Sequence, residues 1–412
     1  MLAADGTPLK ASLARALRRQ KLRALMLVAP LLLFVLISFI APIVDMLFRS
    51  VENQIVSDTL PRTVAALEDW DPASGELPDE AVFAAIVADI TEASKAKTHT
   101  RVGQRLNYEA SGMSSLFRKS ARKMRRMDEG PFRDAVIDID DDWGKVETWT
   151  VIKQFSGDYT GGYFLASVDL ERGLDGSIQA KPEGEQIYIK LFQRTLIMSL
   201  IITMMTILLG YPIAYLLANL PLRISNLLLI LVLLPFWTSL LVRTTSWIVL
   251  LQGQGVVNDT LVLIGLVSDD NRLDLIFNQT GTIIAMTHIL LPFMILPTYS
   301  VMQTISPSYV RAAKSLGATD WTAFWRVYFP NTVPGIGAGA ILVFILAIGY
   351  YITPELVGGT SGTFISNRIA YHISSSLNWG LGAALGVLLL AAVLILYFAY
   401  ERLVGIDNVK LG

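Results

Sequence analysis

The chain has 412 residues, of which 53% are hydrophobic and 17% charged, and its formal net charge at pH 7 is -1. Soluble domains carry about 25% charged residues, so this deficit indicates a membrane protein. The near-zero charge gives no overall field that favours nucleic acid, and the absence of cysteine excludes disulfides, thiolate metal sites and cysteine nucleophiles.

Several apolar segments are each long enough to cross a bilayer, for which an α-helix needs about 20 residues. Because the backbone in lipid must satisfy its own hydrogen bonds, each is predicted to be a transmembrane helix. The six segments are Leu22–Phe48, Leu191–Leu217, Asn226–Leu251, Thr282–Met302, Val333–Ile352 and Leu381–Tyr400. The predicted fold class is an all-α integral membrane protein. Its first part is residues 1–50, followed by an insert at 51–190 and a five-helix core at 191–412.

Basic residues around the first segment predict the orientation. Arg15, Arg18, Arg19, Lys21 and Arg23 precede it, which places the N-terminus in the cytoplasm. The apolar run is too long for a secretory signal and lacks a small-residue cleavage site, so we expect it to be retained. Six crossings then return the C-terminus to the cytoplasm and place the insert outside. Short connections agree, with Arg223, Arg311, Lys314 and Arg326 inside and Asp259, Asp269, Asp270 and Asp274 outside.

The insert is polar and acidic, and its pattern is mainly helical. Without cysteine, it must be held by a small core of its own or by packing on membrane subunits. The predicted helices are Pro78–Lys95, Ser111–Met127 and a run ending near Gln154, and the predicted loops are Gly157–Gly162 and Arg172–Gly184.

A short polar segment joins the fourth and fifth apolar segments on the cytoplasmic side. Residues Tyr309–Leu316 have helical character, and Gly317 interrupts them. Asp320 is predicted to cap a second helix, Trp321–Tyr328, which Pro330 then ends. The sequence therefore predicts a helix–glycine–helix unit at the membrane surface.

This unit carries apolar residues that admit two interpretations. They seat the unit in a groove on a partner, or they anchor an amphipathic connector among lipid headgroups. The residues are Ala312, Ala313, Leu316, Trp321, Phe324 and Trp325.

The spacing within residues 303–330 resembles the EAA loop of ABC-importer permeases. The matching positions are Ala312, Ala313, Gly317, Val327, Phe329 and Pro330. Other stretches are similar to permease subunits of spermidine/putrescine-type ABC importers: Leu234–Ser239 with Arg243 and Trp247, Leu291–Pro297, and Thr353–Gly359. The resemblance covers the first segment and the chain from Leu191 onward, but not the insert.

The resemblance implies the ABC importer permease fold and an ATP-driven, binding-protein-dependent importer in the bacterial inner membrane, with the insert in the periplasm. This chain would form half of the pathway beside a second homologous permease. An ABC ATPase homodimer would hold ATP and Mg²⁺, because this chain lacks a G-x-x-x-x-G-K-[ST] loop. We expect no cofactor and no metal on this chain. The implied coupling residues are Arg311, Ala312, Ala313, Leu316, Gly317, Trp321, Phe324 and Pro330.

Two positions depart from the family pattern. Arg311 stands where the motif has glutamate, which reverses the charge. Tyr350 stands where polyamine permeases typically carry an acidic residue, and Tyr351 follows it. A tyrosine pair suits a quaternary or less charged cation through cation–π contact. The expected solute is therefore a polyamine or a related small organic cation, with a betaine-like or amino-acid-like solute as the alternative.

Ionisable and aromatic residues within or beside the spans are the candidates for the solute pathway. They are Trp237, Arg243, His288, Tyr350, Tyr351 and Glu355. Each of these residues also has a purely structural interpretation. In it, Asp45 and Arg243 would reach the interface or pair with each other, and His288 would be a hydrogen-bonded core histidine. The aromatic residues would then belong to an interfacial belt. The spacings Gly335–Gly339 and Gly382–Gly386 predict close helix packing.

Two other classes of function fit the sequence less well. A membrane sensor or assembly protein would use the outer domain for binding, and it predicts a cytoplasmic signalling module that the sequence does not contain. An intramembrane enzyme is disfavoured because no Ser/His/Asp set, His-Glu-x-x-His motif or paired intramembrane carboxylates occur.

Overall fold

The computed structural model describes residues 9–127, 129–173 and 175–404, which form helices and one short hairpin. In these residues, five continuous helical stretches are long and apolar enough to cross a membrane. We call them the first, second, fourth, fifth and sixth spans in chain order. They are Gln20–Arg49, Tyr188–Asn219, Gln279–Thr304, Asp320–Gly349 and Trp379–Arg402. The first contains a wider π turn at Leu36–Ile40, and the last helix continues to Val404.

The third predicted segment is not one straight helix, so the prediction of a helix over Asn226–Leu251 is wrong. The chain forms Leu222–Trp237 and Leu240–Leu263, which meet at a bend of 98°. Pro235 lies in a tight turn just before the bend and supplies no backbone N–H. Ser239 then starts a new helix by accepting a hydrogen bond from the Val242 amide at 3.1 Å.

The insert is mainly helical, as predicted. Asp79 caps the helix Glu80–Ala96 by accepting a hydrogen bond from the Val82 amide at 3.2 Å. The remaining helices are Gln54–Thr59, Pro61–Ala66, His99–Asn107, Met113–Met124, Phe132–Ile137, Val146–Gln154 and Gly162–Ser167, with 3-10 turns at Pro72–Ser74 and Asp141–Gly144. The loop predicted at Arg172–Gly184 is wrong in part, because antiparallel strands Leu170–Arg172 and Ile178–Ala180 form there.

Aromatic side chains form the core of the insert. Trp143 and Trp149 are fully buried, and their ring centroids lie 5.2 Å apart. Phe83 packs edge-on against Trp149 at 4.8 Å, and Phe117 lies 5.6 Å from Trp143. The indole N–H of Trp143 donates to Ser120 Oγ at 2.8 Å, so the buried polar atom is satisfied. This cluster stabilises the insert without disulfides.

Polar contacts join the insert to the spans. Asp169 is buried and accepts hydrogen bonds from the amides of Ile187, Tyr188 and Ile189 at 2.8–3.0 Å, at the start of the second span. A carboxylate at a helix N-terminus accepts hydrogen bonds from the free amides and interacts favourably with the positive end of the helix dipole. On the other side, the Tyr108 hydroxyl donates to the Ser376 carbonyl at 2.8 Å. The insert is therefore tied to the second span and to the loop before the sixth.

Glycines allow the fourth and fifth spans to pack closely. A Cβ on Gly335 would lie 2.9 Å from Val301 Cβ and 3.0 Å from Thr298 Cα, and one on Gly339 would lie 3.1 Å from a backbone oxygen of the fourth span. The close packing predicted for this pair is confirmed. In the second predicted pair, a Cβ on Gly382 would lie 3.2 Å from Ile373 Cγ1, which is also close, whereas one on Gly386 would lie 3.6 Å from Met46 Cε.

We predict that Gly335→Ala destabilises the protein by about 1–3 kcal/mol, because the added methyl group meets backbone atoms that cannot move aside. Gly349→Ala is the matched control, since nothing lies within 4 Å of its added methyl group in the same span. The measurement is the thermal unfolding midpoint of each variant in detergent. Equal midpoints for the two variants would contradict the packing described here.

Candidate functional site

An exposed helix–turn–helix unit, which we call the connector (residues 307–328), follows the fourth span and includes the first turns of the fifth. The helix Pro307–Ser315 ends in a Schellman turn with Gly317 at φ +90°. The Gly317 amide donates to the Lys314 carbonyl at 2.9 Å, and the Ala318 amide donates to the Ala313 carbonyl at 3.1 Å. The predicted glycine turn is confirmed, and its backbone conformation is one that side-chain-bearing residues rarely adopt.

The second half of the connector differs from the sequence prediction in its cap. Thr319, not Asp320, caps the helix, because its hydroxyl accepts a hydrogen bond from the Thr322 amide at 3.2 Å. Asp320 instead forms an ion pair with Lys314 across the turn. Both side chains are solvent-exposed, so the pair contributes little to stability.

The prediction that Pro330 ends the helix is wrong. A wider π turn at Phe324–Tyr328 precedes Phe329–Gly349 without a break. The π turn makes room for the proline ring, which would otherwise collide with the preceding turn. The Asn331 side-chain amide donates to the Val327 carbonyl at 2.6 Å, which satisfies a carbonyl near the missing proline N–H. The connector is thus continuous with the fifth span.

Apolar side chains of the connector divide into two groups. Leu316 and Trp321 are 90% and 72% exposed, and Trp325 is also exposed. Phe324 instead packs against aromatic residues of the second span, with its ring 5.7 Å from that of Tyr215. Of the other sequence candidates, Arg311, Ala312 and Pro330 are exposed and Ala313 is half-buried. A cavity of ≈ 410 Å³ lies between the connector and the second span, bordered by Tyr211, Pro212, Tyr215, Asp320, Trp321 and Phe324.

The structure brings part of the predicted solute pathway together. Tyr350 packs against the same buried cluster as Leu240, which lies one helical turn before Arg243. The Trp247 indole N–H donates to His288 Nδ1 at 3.2 Å, so His288 is the half-buried, hydrogen-bonded histidine of the structural interpretation. Trp237 is 76% exposed and does not join this group.

The proposed pairing of Asp45 with Arg243 is wrong. Asp45 pairs with Arg49 one helical turn away, at 2.7 Å. The Arg243 guanidinium donates to the carbonyls of Pro235 and Thr238, the latter at 3.1 Å. These carbonyls lie at the 98° bend, where the helical hydrogen-bond ladder is interrupted. Arg243 therefore stabilises the bend by supplying donors to these carbonyls.

Residues after the fifth span are held by an asparagine that the sequence analysis did not identify. Asn367 Nδ2 donates to Glu355 Oε2 at 2.6 Å and to the Tyr351 carbonyl at 2.9 Å. Ser366 Oγ donates to the Tyr350 carbonyl at 2.6 Å. Ser366 and Asn367 belong to the helix Ile365–Ser374 and lie 12 to 16 residues further along the chain than the groups they bind. Hydrophobic periodicity carries no signal for such a contact, so only the fold reveals it.

Several membrane-length helices, a surface connector fused to one of them and a polar group beside a broken span are the features of a multi-span membrane protein. Residues 192–405 match the family model described as the binding-protein-dependent transport system inner membrane component. The chain belongs to this family and is a multi-pass inner-membrane permease subunit of an ABC importer. The insert lies before the matched region.

Individual relatives agree with the family. The chain is 34% identical to the spermidine/putrescine transport system permease protein PotB of Escherichia coli (strain K12), over 54% of this chain and 81% of that protein. It is 36% identical to the PotB protein of Haemophilus influenzae, over 52% of this chain and 75% of that protein. A crystal structure of a bacterial alginate ABC transporter aligns with a TM-score of 0.43 at 20% identity, over 55% of this chain and 80% of that chain.

We predict that Arg243→Met lowers stability by about 1–3 kcal/mol, because the carbonyls at the bend lose their charged donor. Arg223→Met, which removes an exposed arginine from the same broken pair, should change stability by less than about 0.5 kcal/mol. Thermal unfolding in detergent measures both. Unchanged stability of Arg243→Met would show that the guanidinium does not hold the bend.

Proposed function

We propose that this chain forms half of the translocation pathway of an ATP-driven importer. A second homologous permease would supply the other half, an ABC ATPase homodimer would bind ATP and Mg²⁺, and a separate binding protein would deliver the solute. Family membership and the PotB relatives support this proposal. The chain itself would carry out no catalysis and would change between inward-open and outward-open states as its partners bind and hydrolyse ATP.

The proposed topology counts the broken pair as one crossing, which gives six. Basic flanking residues then put both termini and the connector in the cytoplasm and the insert in the periplasm. Arg311, Lys314 and Arg326 on the connector support this orientation. The insert would face the arriving binding protein.

The connector is the observation on which the coupling proposal depends. Leu316 and Trp321 project from it with most of their surface exposed, on either side of a turn fixed by Gly317. Exposed apolar side chains next to a polar surface mark interaction sites. We assign these two residues to a groove on the ATPase, with Ala312 and Ala313 beside them. Phe324 would pass the movement to the second span through its contact with Tyr215.

The proposed solute is a polyamine or a related small organic cation, because relatives at 34–36% identity are named for spermidine and putrescine transport. The cluster around Arg243 favours a second candidate, a zwitterionic betaine-like or amino-acid-like solute. Tyr350 and Tyr351 offer aromatic faces to a cationic group, while the Arg243 guanidinium suits a carboxylate and repels a polycation.

We predict that Gly317→Val abolishes solute-stimulated ATP hydrolysis in the assembled complex while the subunit still inserts. Valine is strained at φ +90° even though open space surrounds the position, so the turn must change shape. The measurement is ATPase activity of the complex in nanodiscs, with and without loaded binding protein.

The matched control for this experiment is Gly161→Val in the insert, where φ is -89° and nothing lies within 4 Å of the added Cβ. It should retain stimulated activity. If Gly317→Val retained it as well, the connector would not be the coupling element. A sensor or assembly protein would show no stimulated ATPase activity in any variant.

For the solute, we predict that the partner binding protein binds spermidine or putrescine in calorimetric titration. Tight binding of either polyamine would exclude the zwitterionic alternative. Binding of glycine betaine or an amino acid, without polyamine binding, would overturn the polyamine proposal and leave the importer assignment intact.

A further inference from the structure

A polar cavity of ≈ 690 Å³ lies where the insert meets the spans. One wall is the helix His99–Asn107 of the insert, which contributes Arg101 and Arg105. The opposite wall contains Arg49, the last residue of the first span, and Trp379, the first residue of the sixth. The cavity is separate from the connector and from the group around Arg243. Its lining residues all precede or follow the candidate solute-pathway residues, 237–355, in the chain.

Arg105 is an unusual component of this cavity because it is 2% exposed and incompletely paired. Its Nε donates to Asn53 Oδ1 and its Nη1 to Glu109 Oε1, each at 2.7 Å. Nη2 is buried and has no acceptor among the described residues. The guanidinium lies over the rings of Tyr163 and Phe155, at 4.6 and 5.3 Å. A buried charged donor without an acceptor is unfavourable, so an acceptor from outside the chain fits this position.

Charges of both signs line the same cavity. Arg101 contributes a cation, and Glu52 and Asp58 contribute two carboxylates, and none of the three forms an ion pair within the described residues. Arg49 already pairs with Asp45. The free charges therefore suit a ligand that carries both an anionic and a cationic group, and they are less suited to a simple anion or a simple cation.

Arg49 and Trp379 indicate where the cavity lies relative to the bilayer. The Arg49 guanidinium lies 5.7 Å from the centre of the Trp379 ring, and each residue ends an apolar span. Arginine and tryptophan at the ends of spans mark the headgroup layer of a bilayer. Phe48, directly before Arg49, is 63% exposed, and the apolar window of the first span is 0% buried in this chain. An apolar surface for acyl chains thus adjoins the polar cavity.

We propose that this cavity binds a zwitterionic phosphoethanolamine group, supplied by a phospholipid of the surrounding leaflet. In this arrangement Arg101 binds the phosphate with Arg105 in the wall beside it, and Glu52 and Asp58 bind the ammonium group. Arginine is suited to phosphate because its planar guanidinium presents several donors. Such a lipid would fasten the insert to the first and sixth spans at the membrane surface. This inference does not depend on the solute or on the coupling role of the connector.

The test uses the full-length chain in detergent, with dioleoylphosphatidylethanolamine added as the probe and the thermal unfolding midpoint as the readout. Native mass spectrometry counts the bound lipid. We expect the lipid to raise the midpoint of the wild-type chain. In Arg101→Gln and in Asp58→Asn the apparent affinity should fall at least tenfold. Both side chains are exposed, so neither variant should prevent folding.

Arg133→Gln is the matched control, since it removes an exposed arginine of the insert that does not border the cavity, and it should retain wild-type lipid affinity. Dioleoylphosphatidylglycerol tests the need for the ammonium group, and soluble glycerophosphoethanolamine tests the need for acyl chains. Equal, Arg101-dependent stabilisation by the soluble ester would support the headgroup chemistry and assign its source to solution. Equal lipid effects in all variants, or equal effects of both lipids on the wild type, would overturn the proposal.

Discussion

Backbone hydrogen bonding within lipid is the constraint on which the rest of this structure depends. No water is available there, so each interruption of a helix needs a compensating group from the protein. At the bend after Pro235, the compensating group is the Arg243 guanidinium. At Pro330, a π turn and the amide of Asn331 serve the same purpose. These two solutions differ in outcome, because the first redirects the chain by 98° and the second leaves the helix continuous.

The insert meets the same constraint at its boundary with the membrane. The second span begins with free amides, and Asp169 of the insert accepts three of them. Its own core needs no help from the spans, since Trp143, Trp149 and Phe83 are fully buried against each other. The insert therefore has a hydrophobic core of its own and also completes the start of a span. This arrangement explains how a segment outside the family-matched region remains integrated with the permease core.

The sequence predicted the features that depend on local physics. Apolar length identified the five continuous spans, the glycine spacing identified the left-handed turn at Gly317, and the small-residue spacing identified the contact at Gly335. It did not predict the effect of two prolines correctly. The helix bends after Pro235 but continues through Pro330, and the difference depends on which neighbouring groups satisfy the free carbonyls. It also missed Asn367 as the partner of Glu355, since the twelve-residue separation gives no periodic signal. The importer assignment came from the family resemblance. Composition and spacing alone did not show whether the helix–glycine–helix unit binds a partner or anchors in lipid headgroups.

The continuity of the fifth span has a mechanical consequence. A continuous helix of 30 residues, from Asp320 to Gly349, is roughly 45 Å long at about 1.5 Å per residue. If such a rod pivots at its connector end, a tilt of about 5° displaces the far end by roughly 4 Å. That end leads directly into Tyr350, whose carbonyl is held by Ser366. A small rotation at the connector would therefore move Tyr350 by a distance comparable to the width of a small solute.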